Sequence, residues 1–125
     1  MRLLLDTHVF IWSVTGDRRL TAARRAYVSA AEVVFVSAAS IWEIAIKSRL
    51  GKIQGDPDEL TAAIDLSGFQ ELPVAARHAA AVAKLPFHHS DPFDRLLLAQ
   101  AFSEPLRLLS ADRVLAEYGG AVEVI

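Results

Sequence analysis

Four acidic residues, Asp6, Glu43, Asp94 and Asp112, occupy the same kind of place along the chain. Asp6 ends the apolar run Leu3-Leu4-Leu5, and Asp112 follows Arg107-Leu108-Leu109 by three residues. Asp94 stands in the helix start Asp91-Pro92-Phe93-Asp94, and Glu43 sits one turn into the helix that follows Val33-Val34-Phe35-Val36. Functional groups in an open α/β sheet collect just beyond the carboxyl ends of the strands. If the strands are parallel, all four acids come from one edge of the sheet and can converge. Gathered carboxylates repel one another, and without compensation some must stay protonated. A hard divalent cation removes that conflict: Mg²⁺ and Mn²⁺ take carboxylate oxygens, and Mg²⁺ keeps water and binds substrate phosphate. The chemistry such a site supports is phosphodiester hydrolysis, in which the metal acidifies a bound water and neutralises charge in the transition state.

Each position also has a plainer role. Asp6 can cap the next helix, Ser40-x-x-Glu43 matches a capping box, Asp91-Pro92-x-Asp94 is an ordinary helix start, and Asp112 can serve the first turn of a short helix. Capping explains each acid separately and does not require them to share one edge. His88 and His89 read as solvated loop residues, His8 lines the site without being a ligand, and His78 falls on an apolar stripe as a core or interface residue. Trp12 and Trp42 read as packing residues rather than surfaces for bases.

The elements that must position these groups alternate. Leu3 to Leu5, with no polar face, suits a strand covered on both sides. A short helix over 7–14 stops at Gly16, Thr21 caps a second through Ala30, and 33–36 is a β-branched and aromatic strand. A helix from Ser40 to about Leu50 ends at Gly51, and another from Asp56-Pro57 ends at Gly68. Residues 69–72 form a short strand, and Val74, His78, Val82 and Leu85 share one helical stripe up to Pro86. A helix opening at Pro92, a strand at 107–109, a short helix to Tyr118 and a last strand over 122–125 complete the chain. Strands alternating with helices imply a mostly parallel sheet covered on both faces.

At 125 residues the chain is expected to be one domain, residues 1–125, large enough for a sizeable core. A hydrophobic fraction of 53% and a mean hydropathy of +0.30 imply a buried sheet, with some apolar surplus to cover a partner or a second copy. The absence of cysteine excludes disulfides and thiolate metal sites. A net charge of −2 gives no global attraction to nucleic acid, so such binding must rest on local Arg and Lys. No stretch is long and apolar enough to span a bilayer, and Asp6 breaks the first apolar run too early for a signal peptide, so a cytoplasmic protein is expected.

Four segments, in order, resemble the PIN-domain ribonucleases, and among them the VapC-type toxins of type II toxin–antitoxin modules. They are Leu5-Asp6-Thr7-His8, Ser37-x-x-Ser40-Ile41-Trp42-Glu43-Ile44-Ala45-Ile46-Lys47, Asp91-Pro92-Phe93-Asp94-Arg95-Leu96-Leu97 and Leu109-Ser110-Ala111-Asp112. The resemblance implies a three-layer α/β/α sandwich around a central, mostly parallel sheet, and Mg²⁺- or Mn²⁺-dependent cleavage of RNA. It implies Asp6 and Asp94 as direct metal ligands, with Glu43 and Asp112 acting directly or through water. Ser110 stands behind the ligands, and Asp91 is a helix cap first and an accessory acid second. It also implies a small cognate antitoxin of the VapB type as partner, and a homodimer. For RNA contacts, Lys47 and Arg95 lie nearest the acidic motifs among Arg18, Arg19, Arg24, Arg25 and Arg49, with Arg18 and Arg19 read as solvated.

Two other classes fit less well. A phosphatase of the haloacid-dehalogenase kind needs an Asp two residues after the first, where this chain has His8, and a receiver domain needs an acidic pair near the first strand. A non-catalytic α/β binding domain would leave the acids as caps and show no Mn²⁺ effect dependent on Asp6.

Overall fold

The computed structural model describes residues 1–125. Five strands form one sheet: β1 (Arg2–Leu5), β2 (Val33–Ser37), β3 (Gln70–Leu72), β4 (Arg107–Ser110) and β5 (Val122–Val124). Their spatial order is β3-β2-β1-β4-β5, with every pairing parallel. The chain therefore builds outward from β1 through β2 to β3, then returns to lay β4 against the other side of β1. That reversal opens a crevice beyond the carboxyl ends of β1 and β4, where a parallel sheet holds its functional groups. In register Leu5 lies beside Leu109, and the Asp6 amide donates to the Leu109 carbonyl at 3.0 Å, so the first residues past both strands are held side by side.

Helices cover both faces: α1 (Thr7–Thr15), α2 (Ala22–Ser29), α3 (Ala38–Arg49), α4 (Pro57–Leu66), α5 (Ala76–Ala81) and α6 (Pro92–Ser103). The strand period of two sorts β1 between two cores. Leu3 and Leu5 join Val9, Phe10, Ile44, Leu60 and Ile64 on one face, while Leu4 joins Leu97, Leu98, Leu108 and Leu115 on the other. This is the three-layer α/β/α arrangement expected from the alternating pattern.

Three boundaries differ from expectation. The third helix begins at Ala38 rather than Ser40, because the Ser37 hydroxyl accepts the Ala39 amide and ends the strand by itself. Ser40 and Glu43 are thus interior helix residues, and no capping box joins them. The stripe from Val74 to Leu85 is not one helix: α5 spans six residues, a 3-10 turn covers Val82–Lys84, and Val74 lies outside, 39% exposed. The segment before Tyr118 is 3-10, Arg113–Tyr118.

Candidate active site

Asp6 is the N-cap of α1. Its Oδ1 accepts the Val9 amide at 2.8 Å and its Oδ2 accepts the Ser110 hydroxyl at 2.5 Å. Ser110, buried at the end of β4, also accepts the Asp112 amide at 3.0 Å, so one side chain sets both the Asp6 carboxylate and the turn that carries Asp112. Burial pushes the Asp6 carboxyl above its ordinary range despite its two donors. A cap and a cleft carboxylate are the same residue here.

Glu43 projects from the second turn of α3 and is only 4% exposed. Two groups fix it: Thr7 Oγ1 donates to Oε1 at 2.6 Å, and Lys47 Nζ, one turn on, reaches Oε2 at 2.5 Å. Thr7 Oγ1 also lies 3.0 Å from Ser40 Oγ, which ties the start of α1 to α3. Thr7 is a site residue that no motif of its own marks in the sequence, although it sits directly after Asp6. Its signal is position, since the first residue of the helix faces whatever the strand end faces.

Asp91 takes the capping work at α6, accepting the amides of Phe93 at 2.8 Å and Asp94 at 3.0 Å. Asp94 is therefore relieved of it. The Asp94 carboxylate is three-quarters buried, and the only basic nitrogen within 4 Å is His89 Nε2 at 3.4 Å. Burial, followed by the neighbouring Asp91 and Asp6 charges, pushes its carboxyl up to about 7. This is a carboxylate held next to like charges, with His89 alone close enough to offset them in part.

His89 corrects the sequence reading: it is not a solvated loop residue but lies against the acids. Its Nδ1 accepts the Asp91 amide at 3.0 Å, which leaves the proton on Nε2, facing Asp112 Oδ2 at 2.8 Å. His89, Asp94 and Asp112 each bring one ligand-type atom within 4.8 Å of the others. With its lone pair turned to the backbone, His89 meets the carboxylates as a donor, in the space a cation could take. His88, by contrast, is exposed, its ring edge-on to Tyr118.

Asp6, Glu43, Asp91, Asp94 and Asp112 thus line one cleft of about 420 Å³, with Lys47 and Arg19 as its permanent cations. The second expected RNA contact is elsewhere. Arg95 donates to the carbonyls of Val82, Pro86 and His89 and stacks on Phe87, fastening the loop before α6. Arg25 is likewise committed to the carbonyls of Trp12, Ser13, Asp17 and Leu20. Arg19 is exposed, as expected, and also borders the cleft rim. Trp42 does not pack inside; it is 58% exposed and meets Phe93 edge-on. A set of carboxylates around a buried, raised Asp94 suits a hard divalent cation.

Residues 3–121 match the family described as PIN domain. Over 124 residues the chain is 32% identical to Ribonuclease VapC22 of Mycobacterium tuberculosis (strain ATCC 25618 / H37Rv), spanning 93% of this chain and 91% of that protein. Among solved structures, VapBC2 from Rickettsia felis, bound to a DNA fragment from its promoter, aligns with a TM-score of 0.70 at 12% identity, covering 100% of this chain and 98% of that one. Mycobacterium tuberculosis VapC20, described as a sarcin–ricin loop cleaving toxin, aligns with a TM-score of 0.61 at 16% identity, covering 96% and 98%. At those identities the two structures speak for the fold.

Proposed function

We propose that this chain, which belongs to the PIN-domain family, is a ribonuclease toxin that hydrolyses RNA phosphodiester bonds with Mg²⁺ or Mn²⁺ and is neutralised by a small VapB-type antitoxin. The observation that carries the reading is the Asp94 carboxylate, three-quarters buried beside Asp6 and Asp91 and pushed up to about 7, with only His89 near enough to offset the acids around it. Such a group is costly in an apo protein and useful in a site that holds a dication. The 32% identity to a ribonuclease supports the substrate class.

Asp6 and Asp94 would hold the metal, with Glu43 and Asp112 joining directly or through water. When bound, the cation supplies a water of lowered pKa and a counter-charge for the phosphoryl oxygens. Ser110 keeps Asp6 turned into the cleft, and Thr7 and Lys47 keep Glu43 in one orientation. The Glu43 carboxylate is suited to align the attacking water, and His89 holds Asp112. Lys47, beside the acids, offers a cation to an RNA phosphate.

The test is cleavage of RNA by the purified protein with added Mg²⁺ or Mn²⁺, and with EDTA. Cutting is expected only with the divalent ion. Undiminished cutting in EDTA, with metal removal verified, would overturn the metal-dependent mechanism.

A further inference from the structure

Beside the acidic cleft lies a second cavity, of about 370 Å³, which shares His8, Trp12 and Arg19 with it and is completed by Asp17, Lys52 and Gln54. His8, Trp12 and Arg19 thus border both spaces. Trp12 is half-buried: it packs against the core that contains Val9 and Phe10 while its outer part borders both cavities. Arg19 stacks on it, its guanidinium carbon 5.1 Å from the ring centroid, and His8 stands at 6.1 Å between centroids. Asp17 holds the Arg19 fork from the far side, taking Nε at 3.0 Å and Nη2 at 2.8 Å, which leaves Nη1 without a protein partner. Lys52 is exposed and enters no ion pair.

We propose that this second cavity is a nucleotide subsite for the single-stranded RNA substrate, with the base stacking at Trp12 and Arg19 and the adjoining phosphate taken by Lys52. Unpaired bases are recognised by stacking on aromatic rings and on guanidinium planes, and the Arg19 guanidinium, backed by the Trp12 indole, offers such a plane with the indole edge beside it. Asp17 fixes the plane of the guanidinium, so little freedom is lost when a base arrives. The phosphate flanking that base needs a cation in the second cavity itself, and Lys47 lines the acidic cleft rather than this one. Lys52 is the cation left free at this end. Gln54 supplies an amide that can read a base edge. The subsite discriminates unpaired from duplex RNA, because a base held in a helix cannot reach the indole.

The proposal rests on the ribonuclease reading, and the test separates the two. Trp12 and Trp42 are the only tryptophans, so Trp42→Phe leaves Trp12 as the sole indole reporter. In an Asp94→Asn background with Mg²⁺, a single strand of roughly twelve nucleotides is titrated by emission, and binding is followed independently by anisotropy of an end label. Saturable quenching of Trp12 is expected with the single strand and not with a duplex of the same sequence. Trp12→Leu should weaken binding by about 5- to 100-fold, with Trp12→Phe recovering most of it. Lys52→Ala should flatten the log–log salt dependence by about 0.7. RNA that binds by anisotropy with unchanged Trp12 emission, or a Lys52→Ala protein with an unchanged salt slope, overturns the subsite while wild-type cleavage keeps the nuclease reading. A wild-type protein that neither binds nor cuts RNA overturns both.

Discussion

At the scale of single residues, Asp91 and Asp94 divide two tasks that lie only three positions apart. Asp91 satisfies the open amides of α6, whereas Asp94 makes no such bond and contributes to its helix only through the dipole, worth about 0.3–1 kcal/mol. Asp94→Asn should therefore leave the fold intact and reduce cleavage at least about 100-fold, because it removes a negative charge from the proposed metal site. Cleavage at the wild-type rate by a folded Asp94→Asn protein would return Asp94 to a structural role. The same residue makes a second prediction in the metal-free protein. Its folded pKa, about 7, lies above the ordinary 3.8, so between these values the folded state binds more protons than the unfolded one. The stability it contributes is complete below about pH 4 and is lost as pH rises through about 7. Melting in EDTA at about pH 5.5 and about pH 8 should show wild type losing more stability across that interval than Asp94→Asn. Equal losses in the two proteins would mean that Asp94 is not held under this strain.

At the scale of elements, the strand ends and helix starts were legible because their signals are local. The leucine run of β1, the β-branched run of β2 and Asp91-Pro92 each determine an element within a few residues, and the four acids follow from them. What was not legible depends on where loops fold back. His89 reads as solvated until the turn before α6 brings it against Asp112, and Ser40-x-x-Glu43 reads as a capping box until Ser37 takes the cap. Arg95 is the clearest case. In sequence it stands beside Asp94, yet consecutive helix positions point about 100° apart, and its guanidinium turns away to three loop carbonyls. Arg95→Met keeps most of the stem and removes those donors, so it should cost about 1.5–3 kcal/mol and loosen the loop that supplies His89 and Asp91. RNA affinity should keep its salt dependence, since no phosphate contact is lost. A stable Arg95→Met protein with a flatter salt slope would instead place Arg95 on the RNA path.

At the scale of the whole molecule, the apolar surplus is not all inside. Trp42, Ile46 and Leu50 recur every four residues along α3 and its end, and all are exposed, as are Phe87 and Leu66. Meanwhile Asp6, Glu43 and Asp112 are already held in the cleft by Ser110, by Thr7 with Lys47, and by His89. On the toxin–antitoxin reading, restraint of this site comes from a second protein, the antitoxin. Expression of the chain alone is therefore expected to arrest growth, and Asp94→Asn at the same level should not. Co-expression of a cognate VapB-type antitoxin should restore growth, with the two recovered as one complex by size-exclusion chromatography. Because turnover multiplies each active molecule, arrest should appear at low expression and scale with activity rather than with the amount of protein. Normal growth under strong expression of soluble wild-type protein, already shown to cut RNA in vitro, would detach the toxin role from the nuclease.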